Sequence, residues 1–201
     1  MLPSARLYLA SASPRRRELL QQMGLEHLVL AVPAPPGEDE PQQEGEAAED
    51  YVKRTARDKA IRAVAWLSAQ TIAPLPILTA DTTVILHGDV LGKPKDRDHA
   101  TEILMRLSGQ THHVHTAVVL AYQGQLYETV SISSVRMREL RKIEIERYCD
   151  SGEPFGKAGS YGIQGLAGTF IEELNGSYSG VMGLPVYETA NLLRLIDINV
   201  P

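Results

Sequence analysis

The feature that most constrains the fold is an almost unbroken apolar run from Pro76 to Leu86, PILTADTTVIL, with one charged residue, Asp81, near its centre. Pro74 precedes the run and His87-Gly88 follows it, so its length suits a single strand. A strand that is apolar on both faces must be covered on both faces, which places it inside a sheet. We therefore expect a core built around a central strand that carries one carboxylate.

Helix and strand patterns are interleaved along the rest of the chain. Strands are predicted at 7–10 and 27–32, helices at 14–23, 51–67, 97–107, 143–149 and 185–196, and hairpins at 114–137 and 169–182. The first hairpin is predicted to turn around Gln123-Gly124, and the second rests on Asn175-Gly176, a strong two-residue turn signal. Asp96 is predicted to cap the helix at 97–107. This order predicts an α/β fold with a mixed central sheet and helices on both sides. No interior linker separates independent domains, so residues 1–201 are expected to form a single domain.

Segment 33–49 has a composition that cannot pack. It carries four prolines and six Asp or Glu residues between the second strand and the long helix. Such a segment buries too little apolar surface to offset the entropy of ordering it. We expect it to be a mobile acidic loop.

Composition and charge exclude several classes of protein. Hydrophobic residues at 43% and charged residues at 22% are ordinary for a globular chain, and a net charge of -5 argues against a surface that grips nucleic acid. Cys149 is the single cysteine, so an intramolecular disulfide is impossible and a reducing compartment is favoured. The first apolar run is too short for a signal peptide, and no segment approaches a membrane span. A cytoplasmic protein without nucleic-acid or membrane partners is expected.

The segment Ser11–Arg17, SASPRRR, lies between a predicted strand and the start of a helix. Free backbone N–H groups and the positive helix end favour an anion there, and hydroxyl and guanidinium groups add donors suited to phosphate. The alternative is a serine cap followed by a solvated basic turn. Arginines at a helix N-terminus are repelled by the positive end of the helix dipole, and a bound anion offsets this repulsion. Their presence therefore favours a phosphate site.

Asp81 is costly in an apolar strand unless it is paired, bound to a metal or bonded to backbone. It is therefore a candidate for chemistry, and a carboxylate that only caps a neighbouring helix is the alternative. Lys93, in the sequence LGKP after the strand, could reach the same pocket. His113 and His115 share a strand face, but two imidazoles lack the third ligand of a catalytic zinc site, so metal binding there is disfavoured.

Four sequence blocks, taken together and in order, resemble the Maf nucleotide pyrophosphatases. They are SASPRRRELL at 11–20, ADTTV with LGKP after it at 80–94, LSGQTHHVHT at 107–116, and AGSYGIQG with NGSYSGVMGLP at 158–185. The resemblance spans nearly the whole chain and is greatest to the branch that hydrolyses dTTP and UTP. It implies cleavage of a nucleoside triphosphate to the monophosphate and pyrophosphate, with Mg2+ or Mn2+, by a cytoplasmic homodimer. It also implies two lobes around a nucleotide-binding cleft.

The resemblance assigns roles to eight residues. For the chemistry, the general base corresponds to Asp81 and the phosphate-side positions to Ser13, Arg16, Lys59 and Lys93. Asp81 could orient or deprotonate the attacking water, or it could hold the metal. The resemblance assigns no other residue of this chain as a metal ligand. The family's acidic pair has no clear counterpart here among Glu38, Asp39 and Glu40.

Three further positions, Arg15, Thr82 and Gln164, match those that separate the specificity branches of the family. A branch acting on 7-methyl-GTP usually has Trp in place of this Arg and Glu in place of this Gln, so that branch is disfavoured. An inosine or xanthosine triphosphatase is disfavoured by the same three residues. A non-catalytic nucleotide-binding regulator of septum formation is the alternative from another class, and intact Asp81, Lys59 and Lys93 favour the enzyme.

Overall fold

The computed structural model describes residues 6–35 and 41–200. The strands are β1 Leu7–Leu9, β2 His27–Val29, β3 Ile77–Leu86, β4 Asp89–Leu91, β5 Thr111–Tyr122, β6 Gln125–Met137 and β7 Ile171–Asn175. The α-helices are α1 Pro14–Gln22, α2 Ala48–Ser68, α3 Arg97–Leu107, α4 Lys142–Asp150, α5 Tyr178–Met182 and α6 Val186–Arg194. Two short 3-10 helices span Ala158–Ser160 and Leu166–Phe170.

The seven strands form one mixed sheet in the order β2-β1-β3-β5-β6-β7, with β4 paired to β3. β1 runs parallel to β2 and β3, whereas β3 with β4 and β6 with β7 are antiparallel. The predicted α/β fold with a mixed central sheet is confirmed. The apolar run becomes β3, where eight of the ten positions are buried and Asp81 and Thr82 are half-buried.

The chain divides into two compact units. One comprises the residues up to Asp81, Thr116–Val130 and the residues from Gly183 onward, and the other comprises Thr82–His115 and Ser131–Met182. The single domain over 1–201 and the nucleotide-binding cleft remain predictions.

The first unit holds its core around helix α2. Apolar residues on one face of α2 pack with β5, in a cluster of Val52, Ala56, Ala60, Ala117 and Val119. Farther along the helix, Ala63 and Leu67 join a cluster with Tyr8, Leu30, Ile77 and Ala121. The alanines allow the helix backbone to lie close to the strands, because their side chains occupy little volume.

The second unit is built on α3 and α4. Leu104 and Leu107 of α3 are fully buried in one cluster with Ile145 and Tyr148 of α4 and with Phe170. Asp96 caps α3 as predicted, its carboxylate accepting a hydrogen bond from the His99 N–H at 2.8 Å. This cap satisfies a backbone donor that the helix itself leaves unpaired.

The first predicted hairpin is confirmed and the second is wrong. Gln123 and Gly124, between β5 and β6, have φ of 48° and 78°, the positive values that tight hairpin turns use. After Asn175-Gly176, by contrast, the chain enters α5 and not a strand. The Ser177 hydroxyl accepts the Gly180 N–H at 3.0 Å and so caps this helix. β7 instead pairs with β6, which a local turn signal cannot reveal.

The described part of the acidic segment forms an ion pair with helix α2. Residues 36–40, which include Glu38, Asp39 and Glu40, lie outside the described residues. Nearer α2, the two carboxylate oxygens of Glu46 accept hydrogen bonds from Arg54 at 2.6 and 2.8 Å, and the Glu46 side chain is 10% exposed. The composition gave no sign of this ion pair because its partner lies on the following helix.

Candidate active site

Lys59 and Asp81 form an ion pair within the first unit. The Lys59 Nζ donates a hydrogen bond to Asp81 Oδ1 at 2.7 Å, and the two side chains are 21% and 16% exposed. Asp81 is thus a half-buried, paired carboxylate, which removes most of the cost that its apolar strand would otherwise impose. Both groups remain accessible to a small polar ligand.

A buried hydrogen bond sets helix α2 against strand β3 beside this pair. Thr79, which is fully buried, donates its hydroxyl to the Ala56 carbonyl at 3.0 Å. Thr79 lies two residues before Asp81 and therefore faces the same side of the strand. Ala56 lies three residues before Lys59, about one helical turn away. The bond therefore fixes the helix register that brings Lys59 to Asp81.

Two hydrogen bonds help to hold Arg16 in place. Its Nε donates to the Gly183 carbonyl at 2.7 Å and a terminal nitrogen donates to the Ser11 hydroxyl at 3.1 Å. Burial lowers the pKa of Arg16 and the neighbouring Arg15 lowers it further, whereas the Asp81 carboxylate raises it. Because an arginine keeps its proton at neutral pH, Arg16 is a fixed cation within the electrostatic reach of Asp81.

The N-terminus of α1 has the features of an anion site. Ser13 occupies the capping position but makes no side-chain capping bond, and no acidic residue lies in the first turn. Instead the Ser13 N–H donates to the Ser11 hydroxyl at 3.2 Å. The serine-cap alternative is therefore not what this segment forms. Arg15 and Arg16 add positive charge where the helix dipole is already positive, an arrangement that an anion would stabilise.

Thr82, Lys93 and Gln164 belong to the second unit. Thr82 is half-buried in β3, and Lys93 and Gln164 are exposed. Lys93 follows β4 in a segment held at Gly92, whose carbonyl accepts the Gly159 N–H at 3.1 Å. Gln164 lies in a turn closed by the Gly165 N–H bonding to the Gly162 carbonyl at 3.0 Å.

The structure thus gathers Arg15, Arg16, Lys59 and Asp81 into one charged group, with Ser13 at the start of the same helix as the arginines. Sequence reasoning missed the anchors of Arg16. Gly183 lies 167 residues from Arg16 along the chain, and it acts through its carbonyl oxygen, so no residue pattern signals it. Ser11 was visible as a hydroxyl in the SASPRRR segment but not as a support for a guanidinium.

Strand β5 carries three histidines, which differ in their surroundings. His112 is fully buried, and its Nε2 lies 2.8 Å from the Tyr161 hydroxyl. Burial, with a smaller effect of His113, lowers the pKa of His112 to about 4. The rings of His113 and His115 lie 6.4 Å apart. In residues 6–35 and 41–200, no three His, Cys, Asp or Glu side chains are grouped so that they could hold a metal ion.

None of the helices in the described ranges combines the length and the apolar character that a membrane crossing needs.

Comparison with known proteins identifies relatives over nearly the whole chain. Residues 6–196 match the family described as Maf-like protein. The chain is 68% identical over 196 residues to a protein of Bordetella pertussis named dTTP/UTP pyrophosphatase, an alignment covering 98% of this chain and 95% of the relative. It is 48% identical over 195 residues to a Haemophilus ducreyi protein named nucleoside triphosphate pyrophosphatase, covering 97% of each. The chain therefore belongs to the Maf family.

Proposed function

We propose that this protein hydrolyses dTTP and UTP to the nucleoside monophosphate and pyrophosphate. The observation that carries the proposal is the Lys59–Asp81 pair, with Arg16 fixed nearby, in a chain whose relatives are named for this reaction. The pair supplies a carboxylate that can orient the attacking water and a cation that can stabilise negative charge on the phosphates. The intact pair also favours an enzyme over a non-catalytic regulator of septum formation.

In the proposed reaction, water attacks the α-phosphorus, a new P–O bond forms, and the bond from the α-phosphorus to the bridging oxygen of the β-phosphate breaks. Pyrophosphate leaves with the electron pair of that bond. Asp81 orients the water and accepts its proton, which later passes to solvent. An ionised carboxylate accepts hydrogen bonds and can take up a proton, which suits Asp81 to this role.

Cations lower the barrier because negative charge builds up on the transferring group and on pyrophosphate. Arg16 and Lys59 are already positioned beside Asp81. Ser13 would add a hydroxyl donor at the start of α1, and Lys93 a mobile cation for the leaving group. When substrate phosphates approach Lys59, the lysine can share its three N–H donors between them and Asp81.

A divalent cation, Mg2+ or Mn2+, is proposed as the cofactor, and the donor chemistry of Asp81 fits it. These ions prefer oxygen ligands, and Mg2+ is often held by one or two carboxylates together with substrate phosphates. Asp81 is the carboxylate among the assigned residues. When bound, such an ion neutralises charge on the phosphates.

Base recognition is proposed for Arg15, Thr82 and Gln164. A carboxamide offers a donor and an acceptor side by side, and uracil and thymine present the complement, O4 beside N3–H. The exposed position of Gln164 leaves its amide available to a ligand. Because an amide can rotate, Arg15 and Thr82 are needed to select one orientation.

We also propose a homodimer in the cytoplasm, as the family resemblance implies. The single cysteine, Cys149, is buried and forms no disulfide, which agrees with a reducing compartment. Light scattering of the purified protein would test the assembly: the mass of two chains is expected, and the mass of one chain would contradict it.

The test of the function is release of pyrophosphate from dTTP, UTP, CTP, GTP, ITP and 7-methyl-GTP, with Mg2+ and separately with Mn2+. We expect dTTP and UTP to give the highest kcat/KM, with one pyrophosphate for each monophosphate. Preference for ITP would indicate an inosine triphosphatase. Binding without turnover would indicate the regulator, and release of single phosphates would exclude cleavage between the α- and β-phosphates.

A further inference from the structure

The turn that carries Gln164 is attached to the end of helix α4 by one continuous chain of hydrogen bonds. On one side of Gln164, the Gly162 N–H donates to the Tyr148 hydroxyl at 3.3 Å. That hydroxyl donates in turn to Glu153 Oε1 at 3.0 Å. On the other side of Gln164, the Leu166 N–H donates to Glu153 Oε2 at 2.9 Å. Both ends of the turn are therefore held by the same two side chains.

The Glu153 carboxylate also accepts a further backbone hydrogen bond from this segment. Its Oε1 also lies 3.4 Å from the Ala167 nitrogen, so the carboxylate meets two successive backbone N–H groups at the start of a 3-10 helix. Hydrogen bonds to an ionised acceptor are stronger than neutral ones. The Glu153 N–H donates to the Ser151 hydroxyl at 3.2 Å, which orients the residue after the end of α4.

The backbone of the turn is shaped to admit this carboxylate. A Cβ at Gly165 would overlap the Glu153 carboxylate. Gly165 therefore leaves the space that Glu153 occupies. At the other end of the hydrogen-bond chain, Tyr148 is 3% exposed and packs edge-on against Phe170, with ring centroids 5.2 Å apart. The anchor for the turn is thus part of the core of its unit.

We propose that Glu153, assisted by Tyr148, is a positioning residue that holds Gln164 and thereby sets the preference for uracil and thymine over cytosine. This inference rests on the proposed function. Gln164 can discriminate only if its backbone is fixed, since a carboxamide that rotates or shifts can pair with cytosine as well. Glu153 does not contact the base; it acts through the two amides that follow Gln164.

The experiment compares wild type with Glu153→Gln and Tyr148→Phe. Glu153→Gln keeps the size of the side chain but replaces one acceptor oxygen with a donor, which faces backbone N–H groups that are donors too. Tyr148→Phe removes the hydroxyl and leaves in place the hydrogen bonds that the Glu153 carboxylate accepts from the Leu166 and Ala167 N–H groups. The matched control is Asp150→Asn, which neutralises a nearby carboxylate whose partner is the exposed Arg97, at 2.7 Å.

Two readouts separate positioning from simple stabilisation. The first is the ratio of kcat/KM for UTP to that for CTP. The second, independent of catalysis, is amide hydrogen exchange of the peptide covering 162–168. For Glu153→Gln we expect the ratio to fall about 10-fold and exchange in this peptide to accelerate by at least that factor. Tyr148→Phe should give smaller changes of the same sign, and Asp150→Asn should leave both readouts as in wild type.

An unchanged UTP-to-CTP ratio in Glu153→Gln would overturn the inference, whether kcat/KM falls equally for both nucleotides or not at all. Unchanged exchange in 162–168 would overturn it too. Should Glu153→Gln fail to fold, Tyr148→Phe decides by the same two readouts. If wild type releases no pyrophosphate from UTP or dTTP, the proposed function itself fails. If wild type is active but its UTP-to-CTP ratio does not depend on Glu153, only the inference about Glu153 fails.

Discussion

Lys59 Nζ lies 2.7 Å from Asp81 Oδ1, so the charge in the centre of a buried strand is balanced by a lysine that arrives from a helix 22 residues earlier. The pair explains how the strand tolerates a carboxylate. It also joins an acid and a cation at one partly exposed point of the sheet, which hydrolysis of a phosphoanhydride needs.

Replacing Asp81 should abolish turnover without unfolding the protein. Asp81→Asn keeps the shape of the side chain but removes the charge that accepts a proton, so we expect pyrophosphate release to fall by about 100- to 10,000-fold. Circular dichroism and thermal melting would check the fold. The control is Glu128→Gln, which neutralises a carboxylate paired with the exposed Arg57 at 2.7 Å. Activity of Asp81→Asn within tenfold of wild type would reject the role.

Lys93 should matter more for kcat than for affinity. A cation directed at developing charge acts mainly in the transition state, so Lys93→Ala is expected to lower kcat more than it raises KM. Lys95→Ala is the matched control, because Lys95 is another exposed lysine two residues along the same segment. A raised KM with unchanged kcat would show that Lys93 contributes only to binding.

Gln164 should decide base choice. Gln164→Glu keeps an acceptor but loses the donor facing O4, so kcat/KM for dTTP and UTP should fall by roughly 10- to 1,000-fold, as when a polar partner is left unpaired. The measurement is kcat/KM for dTTP, UTP, CTP, GTP and 7-methyl-GTP on both proteins. A substrate ranking that is the same in the variant as in wild type would remove Gln164 from base recognition.

The Thr79 hydroxyl should be needed for a well-placed Lys59. Thr79→Val preserves shape and burial but loses the 3.0 Å bond to the Ala56 carbonyl, whereas Thr79→Ser retains the hydroxyl. We expect Thr79→Val to lower kcat about 10-fold, because a misplacement of about 1 Å can cost up to about 100-fold, and Thr79→Ser to restore most of it. Equal kcat values in the two variants would assign Thr79 to packing alone.

His112 should make stability fall as the solution becomes acidic. Its pKa is about 4 in the folded protein against 6.5 in the unfolded chain, so between these values the unfolded state binds more protons. Stability from this group is therefore present above pH 6.5 and decreases as pH drops toward 4. Lowering pH from 7 to 5 should cost about 2 kcal/mol through this group alone.

The measurement for His112 is urea unfolding of wild type and His112→Gln at pH 7, 6 and 5. The variant lacks the titrating imidazole, so the difference between the two pH profiles isolates it from the carboxylates. Parallel profiles for the two proteins would contradict the prediction.

Local patterns in the sequence were sufficient for much of the fold. The apolar run of β3, the Asp96 cap of α3 and the Gln123-Gly124 turn were all predicted, because each depends on residues adjacent in the chain. Strand β4 was missed, since three residues carry too little periodicity to be recognised. The Asn175-Gly176 signal predicted a hairpin, but Ser133 accepts a hydrogen bond from the Ser177 N–H at 2.9 Å and the chain turns into a helix.

By itself, the sequence determined that Asp81 interrupts a buried strand and that serines and arginines begin a helix, since burial and helix polarity follow from local composition. Only the tertiary structure decided that Lys59 pairs with Asp81, that the Gly183 carbonyl holds Arg16, and that Glu153 anchors the turn of Gln164. These contacts join segments far apart in the chain or use backbone atoms, which every residue type supplies. A linear pattern identifies charged groups that need partners, and packing selects the partners.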